Sequence, residues 1–465
     1  MSEKITADYR TRRRHLLDGA RDAVDRVARE RPARLAIVIF AAVILVLTGL
    51  LRLPAATASG TPAPVIDALF TATSTVCVTG LTTVTTATFW SPLGHFLISL
   101  GLIVGGLGVM TLASILGRAV SRHVGLTQRM LTANENQSSL GEVGSLLRAV
   151  VIVSLSAQAI LLVILLPFFL SKGEALLTGL WHSYFMAVSI FNNGGFVIMP
   201  EGLAPYVGNW TLTIPIMMGT IAGAIGFPVI LDMWRNRNRP AKWSVTTKIT
   251  LTTYLLLWVF GAIAIALVEW NNTRTLGSLN LSERINASLT LSTDARSTGL
   301  ATVDVSEMSE TTWLLLDGLM FIGGGSASAA GGIKVTTFAV LILAIRAEAR
   351  GDRDTETFGK RLPAEVLRLA IAATFAGTIM VMTGTVALLQ LTDFGFSRVM
   401  FESISAFATC GLSTGITPYL PTGGKVTLAL LMFFGRTGTM TLAGALALRN
   451  RRRTIRLPQE RPIIG

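Results

Sequence analysis

Four short stretches of the chain end in a glycine that is followed by a large apolar residue. They are Val78-Thr79-Gly80-Leu81, Asn193-Gly194-Gly195-Phe196, Ser297-Thr298-Gly299-Leu300 and Thr409-Cys410-Gly411-Leu412. Their last glycines recur at intervals of about 110 residues, which indicates an internal repeat. Glycine permits the torsions that turn successive carbonyls to one side, and neutral carbonyl oxygens can replace the water around an alkali cation. These four glycine turns therefore predict a cation filter that is formed by four pseudo-equivalent loops.

The elements that hold the turns must be membrane helices, because irregular backbone inside a bilayer is tolerated only where it is buried or lines a watery cavity. The chain is 51% hydrophobic and 14% charged, with a mean hydropathy of +0.58, values typical of integral membrane proteins. Apolar segments long enough to cross a bilayer flank the turns. We predict a short re-entrant helix before each turn, over about 65–76, 177–191, 283–294 and 396–408.

The predicted fold class is an all-α polytopic membrane protein with four helix–pore-loop–helix repeats around one pseudo-fourfold pore. Eight spanning helices and four re-entrant pore helices are expected. The predicted units are a basic N-terminal arm at 1–33, repeats at 34–117, 146–233, 247–345 and 367–448, and a basic tail at 449–465.

Positive charge is concentrated between these repeats. The net charge is +13, and most of the 40 lysines and arginines lie in 1–34, 118–129, 235–248, 346–361 and 449–461. Because cytoplasmic loops are enriched in such residues, these segments and both termini are predicted to be cytoplasmic in a multi-pass protein of the cell membrane. The charge thus reports topology and predicts no nucleic-acid partner. Contact of the N-terminal arm with anionic lipids is a secondary interpretation.

The second helix of the third repeat contains a glycine-rich segment at 323–332, which includes Gly323, Gly324, Gly325, Ser326, Gly331 and Gly332. Each glycine disfavours a helix by about 1 kcal/mol relative to alanine. Since these glycines are clustered and not confined to one face, we predict a broken helix. The alternative is close helix packing through small residues.

Arg436 lies about 18 Å along its apolar helix, a depth near mid-membrane. A cation there would oppose permeation if it faced the pore, and the alternative is an arginine that snorkels to the surface. Glu402, Asp294 and Arg296 lie next to the turns and are interpreted as hydrogen-bonding supports. Ion ligation by Glu402 is the less favoured alternative.

Nothing in the sequence predicts an enzyme. HExxH, GxSxG, Walker and GxGxxG-strand patterns are absent, and the chain has four histidines and two cysteines. We interpret Cys77 and Cys410 as small apolar residues. No covalent cofactor and no structural metal site are expected.

The turns and their neighbours resemble those of the Ktr/Trk/HKT superfamily of potassium transporters. The resemblance extends over nearly all of residues 34–448, and the short arm before the first helix makes the chain most similar to the Ktr type B subunit. Phe191-Asn192-Asn193-Gly194-Gly195-Phe196 is close to a family motif usually written FNNAGF, with Gly194 in place of alanine. Ser297-Thr298 and Cys410 are further modest departures. Serine at the first filter glycine accompanies sodium selectivity in the plant branch, so Gly80 implies potassium.

The resemblance implies roles for specific residues. The implied K⁺ filter consists of Cys77, Val78, Thr79, Gly80, Asn192, Asn193, Gly194, Gly195, Arg296, Ser297, Thr298, Gly299, Ala408, Thr409, Cys410 and Gly411. The implied gate consists of Gly323, Gly324, Gly325, Ser326, Gly331, Gly332, Lys334 and Arg436. For Lys334, anchoring of the glycine-rich loop is an equal alternative.

The function predicted on these grounds is potassium uptake driven by the membrane potential, with Na⁺ coupling left open. The resemblance also implies a homodimer in membrane lipid that rests on a cytoplasmic KtrA-like ring of nucleotide-binding regulatory subunits. The alternatives are a sodium-selective member of the superfamily and a secondary transporter of another solute. Few carboxylates lie within the apolar spans, which counts against the latter.

Overall fold

Long apolar segments form helices here because a helix satisfies its own backbone hydrogen bonds without water. The computed structural model describes residues 32–124 and 139–448, and this part of the chain is predominantly helical. Most of the predicted arm at 1–33 and the whole predicted tail at 449–465 lie outside the described residues.

The described residues form fifteen α-helices and one short hairpin. The helices are α1 (Pro32–Leu51), α2 (Val65–Val76), α3 (Thr86–Phe89), α4 (Pro92–Val124), α5 (Ser139–Ser171), α6 (Leu176–Phe191), α7 (Trp210–Ile225), α8 (Phe227–Arg235), α9 (Val245–Glu269), α10 (Leu281–Asp294), α11 (Glu310–Phe321), α12 (Val335–Arg350), α13 (Ala364–Leu391), α14 (Phe396–Phe407) and α15 (Thr422–Leu448). Strands β1 (Glu356–Thr357) and β2 (Lys360–Arg361) pair antiparallel, with Glu356 opposite Arg361.

Four of these helices, α2, α6, α10 and α14, end directly before a glycine turn, close to the bounds predicted for the re-entrant helices. Helix α2 packs against α1 and α4, α6 against α5 and α7, and α14 against α13 and α15. Helix α10 packs against α9 and also against α7 of the preceding repeat. The four short helices are thus enclosed by longer ones.

Three helices of the described residues are long and apolar enough to cross a membrane, namely α5 over Leu147–Ser171, α9 and α13. The pair α7 and α8 would make a fourth span if counted together. The predicted total of eight spans therefore stays a prediction.

Two helices of the predicted repeats are interrupted. Helices α7 and α8 meet at an angle of 95° around Gly226, whereas a helix–pore-loop–helix repeat over 146–233 implies one unbroken helix after the turn. Gly226 has a φ of +99°, and an added Cβ would lie 2.5 Å from the Ser326 carbonyl oxygen. The second interruption separates α11 from α12 and contains the glycine-rich segment. We call residues 322–334 the central loop.

The last repeat packs against the first. One buried apolar cluster contains Leu47 of α1, Phe70 of α2 and Leu102 of α4, together with Leu428 and Met432 of α15. Because lipid tails are as apolar as these side chains, close van der Waals packing is what stabilises such a cluster within a membrane. The last predicted repeat therefore lies against the first.

We expect Gly226→Ala to lower the melting temperature of the purified protein. The left-handed φ disfavours a side chain by about 1–3 kcal/mol, and the new Cβ would press on the central loop. Gly49→Ala is the matched control, because a Cβ at Gly49 meets no atom within 4 Å. Equal melting temperatures for the two variants would contradict the inferred strain.

Candidate functional site

The backbone of the four glycine turns alternates in handedness. Six non-glycine residues of the described chain have positive φ, and four of them lie two positions before a turn glycine: Val78 (55°), Asn193 (59°), Ser297 (136°) and Thr409 (46°). The turn glycines are also positive: Gly80 (94°), Gly195 (69°), Gly299 (63°) and Gly411 (97°). The residue between each pair is not. Such strain at non-glycine residues persists only where the surrounding structure imposes it.

This alternation matters because successive carbonyls of an ordinary extended strand point to opposite sides. Inverting φ at every second residue turns them toward the same side. The N–H groups of the turns point back to the preceding helix instead. In the first turn Thr79 N donates to Ser74 O at 2.7 Å, and Gly80 N donates to Ser74 Oγ at 3.0 Å. The carbonyl oxygens are left free of these bonds.

A hydroxyl residue lies six positions before each turn glycine, which was not among the predicted site residues, and in the first, second and fourth turns it binds the turn backbone. The four are Ser74, Ser189, Thr293 and Ser405. Gly194 N donates to Ser189 O at 2.6 Å, and Cys410 N donates to Ser405 O at 2.9 Å. The fixed spacing from the glycines was the available signal.

The third turn is held differently. Thr293 Oγ1 donates to Leu289 O and accepts a hydrogen bond from Trp258 Nε1 at 2.8 Å. The turn is bound instead by the backbone carbonyl oxygen of Asp294, which accepts hydrogen bonds from the N–H groups of Ser297, Thr298 and Gly299 at 3.1, 3.1 and 3.3 Å. The outcome is the same, with the N–H groups turned back toward the helix end.

The four turns contact one another in a closed ring. The carbonyl oxygen of the residue before each glycine lies against the glycine of a neighbouring turn: Gly194 O against Gly80, Thr298 O against Gly195, Cys410 O against Gly299, and Thr79 O against Gly411. An added Cβ at Gly80 would lie 2.8 Å from Gly194 O. No turn glycine has room for a side chain, and one oxygen from the same position of every turn enters the ring.

Asp294 supports the third turn through its backbone carbonyl, whereas its side chain and that of Arg296 do not form the expected hydrogen bonds. In the described part of the chain, no hydrogen-bond partner meets the guanidinium nitrogens of Arg296 or the carboxylate of Asp294. Both side chains are fully buried, and the Arg296 guanidinium lies 4.7 Å from the centre of the Tyr254 ring. A cation–π contact therefore replaces the expected hydrogen bonds.

Glu402 is a support, as expected. Its carboxylate accepts from Ser413 Oγ at 2.7 Å, from Thr414 N at 2.8 Å and from Thr417 Oγ1 at 2.7 Å. These bonds fix the segment that leaves the fourth turn. They also occupy both carboxylate oxygens with protein donors.

The remaining predicted filter residues line or back the turns. Cys77 and Cys410 are buried free thiols, and Cys410 Sγ donates to Asp294 O at 3.2 Å, which links the fourth turn to the third. Asn192 Nδ2 donates to Val188 O at 2.9 Å within its own helix end. The Ala408 carbonyl oxygen lies against Gly331 of the central loop.

The central loop is anchored to the end of α7. Gly325 N donates to Ala224 O at 2.7 Å, and Ala329 N donates to Gly223 O at 3.1 Å. These are carbonyls of the last helical turn, which have no partner within their own helix. The loop therefore completes the hydrogen bonding of a helix from the preceding repeat, and its Gly331 reaches the fourth turn.

Two cations bind consecutive carbonyls of the central loop. Arg436 of α15 is 2% exposed, and its Nη1 donates to Ala329 O. Lys334 Nζ donates to Ala330 O at 2.6 Å. Neither cation forms an ion pair with a carboxylate of the described residues. The predicted gate residues thus lie together around one loop, and Ser326 also contacts Thr336 there at 3.0 Å.

Comparisons with known proteins support the resemblance. A family model described as TrkH, cation transport protein, matches residues 21–451. Ktr system potassium uptake protein B of Bacillus subtilis is 36% identical over 447 residues, which cover 96% of this chain and 99% of that protein. Potassium/sodium uptake protein NtpJ of Enterococcus hirae is 33% identical over 436 residues, which cover 91% of this chain and 95% of that protein.

The fold has a solved counterpart. The crystal structure of the potassium transporter TrkH from Vibrio parahaemolyticus aligns with a TM-score of 0.70, covering 89% of this chain and 84% of that one. Its sequence identity of 15% shows likeness of fold alone. The family match, by contrast, spans most of the chain and makes it a membrane transport protein and not an enzyme. The resemblance drawn from the glycine turns is confirmed: the chain belongs to the TrkH family of cation transport proteins.

Proposed function

We propose that this protein takes up potassium across the cell membrane through the centre of the four glycine turns. The observation that carries the proposal is the closed ring, to which equivalent positions of all four turns contribute one carbonyl oxygen each. Backbone carbonyls bind a dehydrated alkali cation without holding it too tightly for release. The names of the relatives, which describe potassium uptake, support the same ion.

Potassium is favoured over sodium because Gly80 stands at the position where, in the resembling plant transporters, serine accompanies sodium selectivity. The alternative is a pore that also admits Na⁺, which the name of the potassium/sodium uptake relative favours. Na⁺ coupling of K⁺ uptake is a separate question from filter selectivity. Ion competition measurements on the purified protein distinguish the two ions directly.

The proposed gate is the central loop together with Arg436. The loop contacts the fourth turn through Gly331, and Arg436 Nη1 bonds to the same loop. Two like unit charges about 4 Å apart repel by about 4 kcal/mol at an effective dielectric constant of about 20. That energy corresponds to about three powers of ten in rate, which is enough to close a pore to a cation. Lys334 adds a second positive charge and anchors the loop.

The proposed assembly follows from the same family. We place the chain in the cell membrane as a homodimer with one pore per subunit and with both termini in the cytoplasm. A cytoplasmic ring of nucleotide-binding subunits, as the family resemblance implies, would supply regulation, and the name of the Bacillus subtilis relative as part of a Ktr system supports a partner subunit. Nucleotide control would then reach the pore through the central loop.

Gly80→Ser is expected to reduce the preference for K⁺ over Na⁺ by about tenfold, which corresponds to about 1.4 kcal/mol. The new side chain would press on the Gly194 carbonyl and displace one oxygen of the ring. Uptake of ⁸⁶Rb⁺ in competition with K⁺ or Na⁺ would be measured in proteoliposomes. Gly49→Ser is the control, since its Cβ meets open space. An unchanged ion preference in Gly80→Ser would contradict the filter assignment.

Arg436→Gln is expected to raise the uptake rate of the isolated transporter at least about tenfold, because the positive charge at the central loop is removed. Arg436→Lys keeps the charge and should stay within about twofold of the wild type if repulsion is the barrier. Both rates would be normalised to the amount of folded protein in the vesicles. A slower or unchanged Arg436→Gln variant would overturn the gate assignment.

A further inference from the structure

The connection from α8 to α9 presents an exposed aromatic residue beside a row of cations. Helix α8 turns by 95° from α7, so it runs across the direction of that helix. Trp234 near its end is 72% exposed. Arg235, Arg237, Arg239 and Lys242 follow, and all four are exposed. We call Trp234 and these four residues the basic shelf.

The basic shelf has a net positive charge, since its segment contains four exposed cations and one carboxylate, and that carboxylate forms hydrogen bonds to neutral donors. Asp232 is the single carboxylate between 226 and 248. Its Oδ2 accepts from Ser244 N at 2.8 Å and from Thr247 Oγ1 at 2.5 Å, and its Oδ1 accepts from Asn236 Nδ2 at 2.8 Å. These bonds also fold the connection back onto the start of α9, which gives the cations a defined position.

Charge and position together point to a lipid surface. Tryptophan and basic residues are enriched where a helix lies along the membrane interface, and each lysine or arginine near an anionic leaflet contributes about 1 kcal/mol of attraction. Helix α8 bends away from α7 and carries these side chains. In a membrane transport protein, such a helix is typical of the membrane–water interface. Acidic phospholipid headgroups are the complementary occupant.

Helix α8, which ends at the basic shelf, begins at the central loop. Phe227, the first residue of α8, donates its N–H to Ala327 O at 3.3 Å. Gly226 at the bend lies against Ser326 O, and Ala224 O accepts from Gly325 N at 2.7 Å. Trp234 follows Phe227 by seven residues, so a displacement of the shelf reaches the loop through about two turns of α8. Ala327 itself has a strained φ of 56°, so its conformation depends on these neighbours.

We propose that the basic shelf binds acidic phospholipids of the cytoplasmic leaflet and thereby holds the central loop in its closed position. Bound lipid fixes α8, α8 fixes the bend at Gly226, and the bend supplies the partners of the loop. Acidic lipid then lowers the uptake rate of the transporter. The lipid site stands on the geometry of the shelf alone, whereas its effect on uptake rests on the proposed function of the loop.

Binding is tested on the full chain without any transport. Short-chain phosphatidylglycerol added to the detergent-solubilised protein should raise the melting temperature of the wild type. The rise should be lost in the combined variant Arg235→Gln, Arg237→Gln, Arg239→Gln and Lys242→Gln, and reduced in Trp234→Ala. The matched control neutralises Arg346, Arg350 and Arg353 at the end of α12. An equal rise in the shelf variant and the wild type would overturn the site.

Coupling is tested by ⁸⁶Rb⁺ uptake into vesicles of phosphatidylcholine, with or without a quarter of phosphatidylglycerol. Acidic lipid should slow the wild type about fivefold, a coupling of the size seen in allosteric proteins, and should leave the shelf variant unchanged. If the shelf variant no longer binds phosphatidylglycerol but its uptake is still slowed by acidic lipid as in the wild type, the coupling is refuted. A shelf variant that keeps the rise in melting temperature but no longer takes up potassium in cells would indicate that the shelf binds a cytoplasmic protein. That result would refute the lipid proposal. A wild type without uptake in either vesicle would contradict the proposed function instead.

Discussion

The structure depends on one backbone constraint: each glycine turn must direct its carbonyl oxygens to one side while its N–H groups bond elsewhere. An ordinary strand does not achieve this, because its carbonyls alternate. The chain achieves it with left-handed torsions at Val78, Asn193, Ser297 and Thr409, which are unfavourable for residues with a side chain. The helix ends before the turns bind the N–H groups and so hold the strained form. The positions of the short helices follow from this requirement.

Closure of the ring makes the turns depend on one another. Each turn glycine lies against a carbonyl of a neighbouring turn, so an added side chain in one turn displaces the backbone of another. On the side of the ring where α2 begins, an ion pair of 3.0 Å between Lys425 of α15 and Asp67 of α2 joins the last repeat to the first. The central loop extends the same dependence to the end of α7. Selectivity and gating would therefore share a single packed unit.

Local patterns in the sequence were sufficient to locate the short helices and the glycine turns, because composition and spacing repeat four times. The bend at Gly226 was not predictable in this way. A glycine in an apolar span is equally typical of close helix packing, and its φ is decided by the central loop about a hundred residues later. The surroundings of the Arg296 side chain were not predictable for a related reason, since its guanidinium lies against the ring of Tyr254 on another helix. Contacts between elements far apart in the sequence determine both residues.

The most direct test of the central claim is a structure of the protein in Rb⁺, with the ion located by its anomalous scattering. The account predicts a density on the axis of the four turns, ringed by the carbonyl oxygens of Thr79, Gly194, Thr298 and Cys410. It also predicts that this density weakens when Na⁺ replaces Rb⁺. An ordered Rb⁺ bound elsewhere, with none among the four turns, would contradict the account.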